Sequence, residues 1–192
     1  MLKAYRYRLL PTDEQKAILT GWMGSCRFIF NLGLETKIAV WTSAQKSITC
    51  FDLMKQLTEL KKTTDWLCEC PRQSLESAIA NLDNAYTSFF KKRGGFPKFK
   101  KRSDKQSIIF RNDSRIVDDK IRLTKIGFIQ MVLHRPLGEG EIRTVTVTKT
   151  PTGKYFVSIL VNNGKELPNK KPIKNKSTVK ALPKAGDLKH KS

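Results

Sequence analysis

The residues best suited to chemistry in this sequence are gathered in one stretch, Lys91-Lys92-Arg93-Gly94-Gly95-Phe96-Pro97-Lys98-Phe99-Lys100-Lys101-Arg102, where cations surround two aromatic rings and no acid intervenes. Cations of this kind hold phosphates, and a phenyl face gives an unpaired base something to stack on. The pattern also suits a connector whose rings anchor to a core while its cations face water, and the two readings are compatible. Catalysis leaves no comparable footprint. The 17 Asp and Glu are scattered over helix faces and turns, whereas two-metal phosphodiester cleavage needs several carboxylates converging on one point. No Gly-rich phosphate loop, Ser-His-Asp set or Cys-His pair is apparent. His134, beside Arg135 in an alternating stretch, reads as a structural or RNA-facing residue rather than a general base. Cys68-Glu69-Cys70 has only His134 and His190 to pair with, so no zinc site and no cofactor are expected.

The whole chain repeats the message of that stretch. Its 192 residues carry 37 Lys and Arg and a net charge of +20. Because each phosphate neutralised by Lys or Arg releases a condensed counterion, an excess this large favours a polyanionic partner, with nucleic acid first. A membrane partner is not expected: no run approaches the roughly 18–20 apolar residues of a span, and Met1 to Arg8 lacks the apolar core of a signal peptide. The chain therefore reads as cytoplasmic, with Cys26, Cys50, Cys68 and Cys70 as free buried thiols. At 39% hydrophobic it can bury a core, which excludes disorder along the whole length.

The elements that must position these groups follow from periodicity. Tyr5, Tyr7 and Leu9 alternate with Arg6 and Arg8 up to Pro11, giving a strand with one basic face. Thr12 caps the helix that follows, and Gln15 completes a capping box. Gly21 and Gly24 allow a break, so two helices are expected before Trp41. A further amphipathic helix carries Phe51, Met54, Leu57 and Leu60. After Pro71, the apolar residues Leu75, Ile79, Leu82, Tyr86 and Phe89 recur at helical steps and form one core-facing stripe ending near Lys92. Past Gly94-Gly95 the period becomes that of strands: 107–111, 115–117, 121–123, 128–134, 142–149 and 155–161, with Thr150-Pro151-Thr152-Gly153 as a hairpin turn. The fold expected is α+β: a small antiparallel β-barrel made of residues 1–10 and 105–162, with a helical bundle and basic connector, residues 11–104, inserted after its first strand. Residues 163–192 read as a flexible basic tail.

Several ordered blocks carry a family resemblance. Tyr5-Arg6-Tyr7-Arg8-Leu9-Leu10-Pro11-Thr12-Asp13-Glu14-Gln15, Gly24-Ser25-Cys26-Arg27-Phe28-Ile29-Phe30-Asn31, Pro71-Arg72-Gln73-Ser74-Leu75, Phe89-Phe90 with Gly95-Phe96-Pro97-Lys98-Phe99-Lys100, and Thr150-Pro151-Thr152-Gly153-Lys154-Tyr155-Phe156-Val157-Ser158 together resemble the TnpB (OrfB) family of transposon-encoded, RNA-guided DNA endonucleases. The resemblance covers residues 1 to about 162. It implies a β-barrel wedge domain interrupted by a helical recognition domain, with guide RNA and double-stranded DNA as partners. A full-length member continues into a RuvC-type nuclease opened by a Gly-x-Asp-x-Gly strand, whereas this sequence reads Ala185-Gly186-Asp187-Leu188 and ends at Ser192. The expectation is a recognition half without nuclease activity. A non-functional transposon remnant and a basic RNA-associated structural protein are the alternatives.

Carried onto this sequence, the resemblance implies DNA readers at Arg72, Gln73 and Glu76 on the helix after Pro71, and at Arg111 and Asn112 after Phe110. Arg can grip guanine, Asn or Gln adenine, and Glu cytosine N4. Glu76 also stands four residues from Arg72, the spacing of a simple helical ion pair. RNA binding is expected at Arg6, Arg8 and Arg27, and along the connector at Lys91, Lys92, Arg93, Phe96, Lys98, Phe99, Lys100, Lys101 and Arg102.

Overall fold

The computed structural model describes residues 1–111 and 114–164. Asn112, Gly186-Asp187 and the tail from residue 165 lie outside the described residues.

Alternation in the first ten residues produces strand β1 (Leu2–Leu10), which buries Tyr5, Tyr7 and Leu9. The remaining strands are β2 (Gln106–Arg111), β3 (Arg115–Val117), β4 (Lys120–Leu123), β5 (Gly127–Val132), β6 (Glu141–Lys149) and β7 (Tyr155–Asn162). All pair antiparallel in the order β2-β6-β7-β1-β5-β4-β3. The sheet curls into a half-barrel with β2 and β3 as its edges. The first strand of the chain thus lies between β7 and β5, so the sheet closes around a residue stretch made before any helix. One face buries Ile108, Phe110, Ile121, Ile129, Met131, Val145, Val147, Val157 and Ile159, the alternate positions of each strand.

Between β1 and β2 the chain runs through α1 (Asp13–Ala44), α2 (Cys50–Thr63), α3 (Asp65–Glu69) and α4 (Arg72–Phe90). The capping box is formed: Thr12 Oγ1 accepts from the Gln15 amide, and Gln15 Oε1 from the Thr12 amide. Gln15 does more, because its Nε2 donates to the Phe128 carbonyl of β5 at 2.9 Å and ties the start of α1 to the sheet. A second capping box, Thr49 with Asp52, opens α2.

The expected break at Gly21 and Gly24 is absent: α1 is one helix of 32 residues. Each glycine costs roughly 1 kcal/mol relative to Ala inside a helix. Burying Leu19, Trp22, Met23, Cys26, Ile29 and Phe30 on either side of them offsets that loss, since large apolar side chains contribute about 1.5–3 kcal/mol each. Farther along, Gly33 is closely packed: a Cβ there would stand 3.0 Å from Leu82 Cδ2 and 3.4 Å from Leu53 Cδ1, so those side chains would have to give way slightly. The stripe of α4 places Leu75, Ile79 and Leu82 in the core. That cluster is continuous with the sheet's buried face, joined where the Trp22 and Phe110 rings meet at 6.4 Å.

Two local expectations are corrected, and one element was not foreseen. The strand after Gly127 stops at Val132, so His134 lies outside it, exposed, with its ring 5.4 Å from that of Tyr7. Helix α3, too short to show periodicity, escapes the sequence. Of the four free thiols expected to be buried, Cys26 and Cys70 are, but Cys50 is half-buried and Cys68 exposed. Among the described residues no helix is long and apolar enough to cross a membrane.

Candidate nucleic-acid interface

The expected DNA-reading residues come from two elements that one hydrogen bond holds together. Ser74, in the first turn of α4, donates its hydroxyl to the Ile109 carbonyl of β2 at 2.7 Å. Arg72 and Gln73 therefore stand at the same corner as Arg111, the last residue of β2. Arg72 Nε donates to Glu76 Oε1 at 2.7 Å, and the Arg72 side chain is 63% exposed. An exposed pair of this kind is worth about 0–1 kcal/mol, so a base edge can compete for either partner at little cost. Behind the corner, Cys26, Arg27, Asn81, Lys100 and Gln106 line a cavity of about 260 Å³.

The connector divides its residues between the core and solvent. Phe96 packs edge-on against Tyr86 and Phe89, with ring centres at 5.5 and 5.3 Å, and Pro97 is buried. Asn31 of α1 clamps the backbone of Lys100 from both sides: Asn31 Nδ2 donates to the Lys100 carbonyl at 3.0 Å, and the Lys100 amide donates to Asn31 Oδ1 at 2.8 Å. The Lys100 ammonium then lies 3.9 Å from the centre of the Phe30 ring, where loss of water pulls its pKa below the usual lysine value. Gln106 gathers the next turn, donating to the carbonyls of Lys101 and Asp104 while accepting from Arg27 Nη1 at 2.8 Å. Arg27 thus bonds to Gln106, and Lys100, although exposed, sets its ammonium over the Phe30 ring. Lys98, Phe99, Lys101 and Arg102 are exposed.

Lys91, Lys92 and Arg93 end α4. Lys92 takes the left-handed conformation at φ 54°, the amide of Arg93 bonds back to the Ser88 carbonyl and that of Lys92 to Phe89. These are the two backbone bonds of a left-handed helix stop, and they leave three exposed cations in a tight turn.

On the outer face of the sheet, the Arg6 guanidinium lies 4.3 Å and that of Arg8 5.6 Å from the centre of the Phe156 ring; Arg8 and Phe156 are register partners. Arg8 Nε is buried without a hydrogen-bond partner. Phe128, 49% exposed, faces Arg122 across β5 and β4.

Sequence reasoning missed Phe156, Gln106 and Asn31 as parts of these sites. Phe156 was within reach, since it alternates with the buried Tyr155 and Val157 and an aromatic ring on the outer face needs a reason. Asn31 and Gln106 gave no signal, because their partners lie 69 and 79 residues away.

Among the described residues no three His, Cys, Asp or Glu side chains converge as a metal site would require. The antiparallel half-barrel with inserted helices presents cations on its outer face and along its connector, as a surface for a polyanion would. Comparison with known proteins identifies the lineage: a helix-turn-helix domain of the OrfB type matches residues 1–46. In this chain those residues fold as β1 and a single unbroken α1 with its C-cap. Two relatives share the name "Putative RNA-guided DNA endonuclease". One, from Streptomyces pristinaespiralis, is 33% identical over 164 residues, covering 82% of this chain and 41% of the relative. The other, InsQ of Escherichia coli K12, is 30% identical over 162 residues, with coverages of 82% and 40%. A third, the virulence protein VsdF of Salmonella dublin, is 29% identical over 116 residues, 55% of this chain and 98% of the relative. The chain is related to proteins of the TnpB (OrfB) type through this N-terminal match and these relatives, and spans about two fifths of the length of the two endonuclease-named relatives.

Proposed function

We propose that this chain is a recognition module that binds a guide RNA and the short DNA motif beside the RNA's target, and that strand cleavage is not among its tasks. The RNA would lie along the exposed cations of the connector, Lys98, Lys101 and Arg102, and along Arg6 and Arg8 of β1. The DNA would meet the corner made by α4 and β2. The observation that supports the reading is the Ser74–Ile109 bond, which ties the first turn of α4, where Arg72 and Gln73 lie, to the strand that ends in Arg111; Arg and Gln are types suited to reading base edges. The division into a wedge-like sheet, residues 1–10 and 105–162, and a recognition insertion, residues 11–104, belongs to the same proposal.

Binding of a duplex library in the presence of the transposon's RNA tests it. Arg72→Ala should cost about 1–3 kcal/mol on the preferred motif and flatten discrimination at one position, leaving RNA affinity unchanged. A uniform loss on all duplexes would reassign Arg72 to phosphate contact. Metal-dependent cleavage of the target by the purified chain with its RNA would overturn the proposal for a pure recognition role.

A further inference from the structure

A second aromatic site lies at the far end of the helices from the sheet. Trp41 near the end of α1, Phe51 at the start of α2, and Phe90 at the end of α4 are 56%, 66% and 74% exposed. With Tyr86, Phe89 and Phe96 they line one groove of about 870 Å³. One wall is a packed set of rings: Tyr86 stacks with Phe90 at 6.2 Å, and Phe89 tilts against Phe90 at 5.4 Å. On the other wall stand Trp41 and Phe51, the Phe51 ring with the Lys55 ammonium 5.0 Å from its centre. Lys37 and Lys46 also line the groove, against a single acid, Asp83, which lies 3.7 Å from the Lys37 ammonium. The basic turn Lys91-Lys92-Arg93 follows Phe90 directly.

We propose that this groove takes unpaired bases of single-stranded nucleic acid. The exposed rings of Trp41 and Phe90 select a flat partner, and Lys46 with the Lys91-Lys92-Arg93 turn selects an anionic one. A duplex keeps its base faces stacked on each other, so only single-stranded nucleic acid offers both features together. A second copy of this chain would bring the same cations to the same groove against a net charge of +20, and repulsion disfavours it. The proposal rests on the reading of the chain as a nucleic-acid binder but uses none of the residues at the α4–β2 corner.

The test uses the full chain with a labelled oligo-uridine strand and a DNA duplex of equal length, titrated over a range of salt. Trp41→Leu and Phe90→Leu keep the groove apolar and alter exposed positions only. Each should weaken single-strand binding by about 5- to 100-fold, the range expected for loss of one stacked base, with duplex affinity and the salt slope unchanged. Oligo-uridine should quench tryptophan fluorescence in the wild type, and Trp41→Leu should remove most of that quenching, leaving only what Trp22 and Trp66 contribute. Equal losses on strand and duplex, no loss on either, or a change of oligomeric state in Trp41→Leu would each overturn the proposal. If the wild type binds neither probe at any salt, the nucleic-acid reading itself fails, an outcome separable from failure of the groove alone.

Discussion

Strand β1 and the connector carry the two densest sets of expected RNA contacts, yet their cations are placed by different physics. In β1 the pleat decides: successive residues point to opposite faces, so burying Tyr5, Tyr7 and Leu9 commits Arg6 and Arg8 to the other side. In the connector no repeat decides, and each cation goes where a distant side chain sends it. Asn31 holds the backbone of Lys100 so that its ammonium, on an otherwise exposed residue, lies over Phe30, while Lys98, Lys101 and Arg102 are exposed. A run of like residues in an irregular segment is therefore not one surface but a mixture.

The largest effect should come from splitting that mixture. Replacing Lys98, Lys101 and Arg102 together with Gln should make the slope of log K against log salt for RNA shallower by up to about 0.7–0.9 for every phosphate the protein no longer neutralises. Lys100→Gln alone should leave the slope where it is. Filter binding across a salt series reads both, and a slope change from Lys100 as large as that from any of the other three would erase the distinction.

Next in size is the clamp itself. Asn31→Ala removes two hydrogen bonds to the Lys100 backbone, each worth about 0.5–1.5 kcal/mol net, so unfolding free energy should fall by about 1–3 kcal/mol. Denaturant unfolding checks this. A change near zero would mean that the connector holds its path by the packing of Phe96 and Pro97 alone. On β1 the corresponding change is smaller: Phe156→Leu removes the ring beneath Arg6 and Arg8 and should cost about 0.5–1 kcal/mol of stability, the usual worth of a cation–π interaction at an exposed site.

The same contrast explains what could be read from the sequence. The strands, the α4 stripe and the Thr12 capping box are local patterns, and each is present in the structure. The unbroken α1 was hidden because Gly21 and Gly24 are weak local signals overruled by the burial of their neighbours. At the expected interface, the family resemblance pointed to Arg72, Gln73 and Arg111, but the Ser74–Ile109 bond between their two elements spans 35 residues. The Arg27–Gln106 bond and the Asn31 clamp are longer-range still. Periodicity carries no information about such contacts, because side-chain hydrogen bonds between distant segments depend on how the finished elements dock.

The smallest expected effect tests the orientation of Lys100 without any ligand. Desolvation lowers its pKa in the folded chain from the ordinary 10.5. Between the lowered value and 10.5 the unfolded chain still holds the proton that the folded chain has released, so unfolding takes up protons and stability rises as pH increases through this window. Below it both states are protonated, and the partly desolvated ammonium imposes a constant penalty. Lys100→Met removes the titrating group while keeping the stem that covers Phe30. Its unfolding midpoint, followed from about pH 8 to about 10.5, should therefore lack the alkaline rise that the wild type shows. Parallel curves for the two proteins would mean that the ammonium is hydrated in the folded state. Lys100 would then join Lys98, Lys101 and Arg102 on the solvent side, and the connector would present one continuous basic surface, as β1 does.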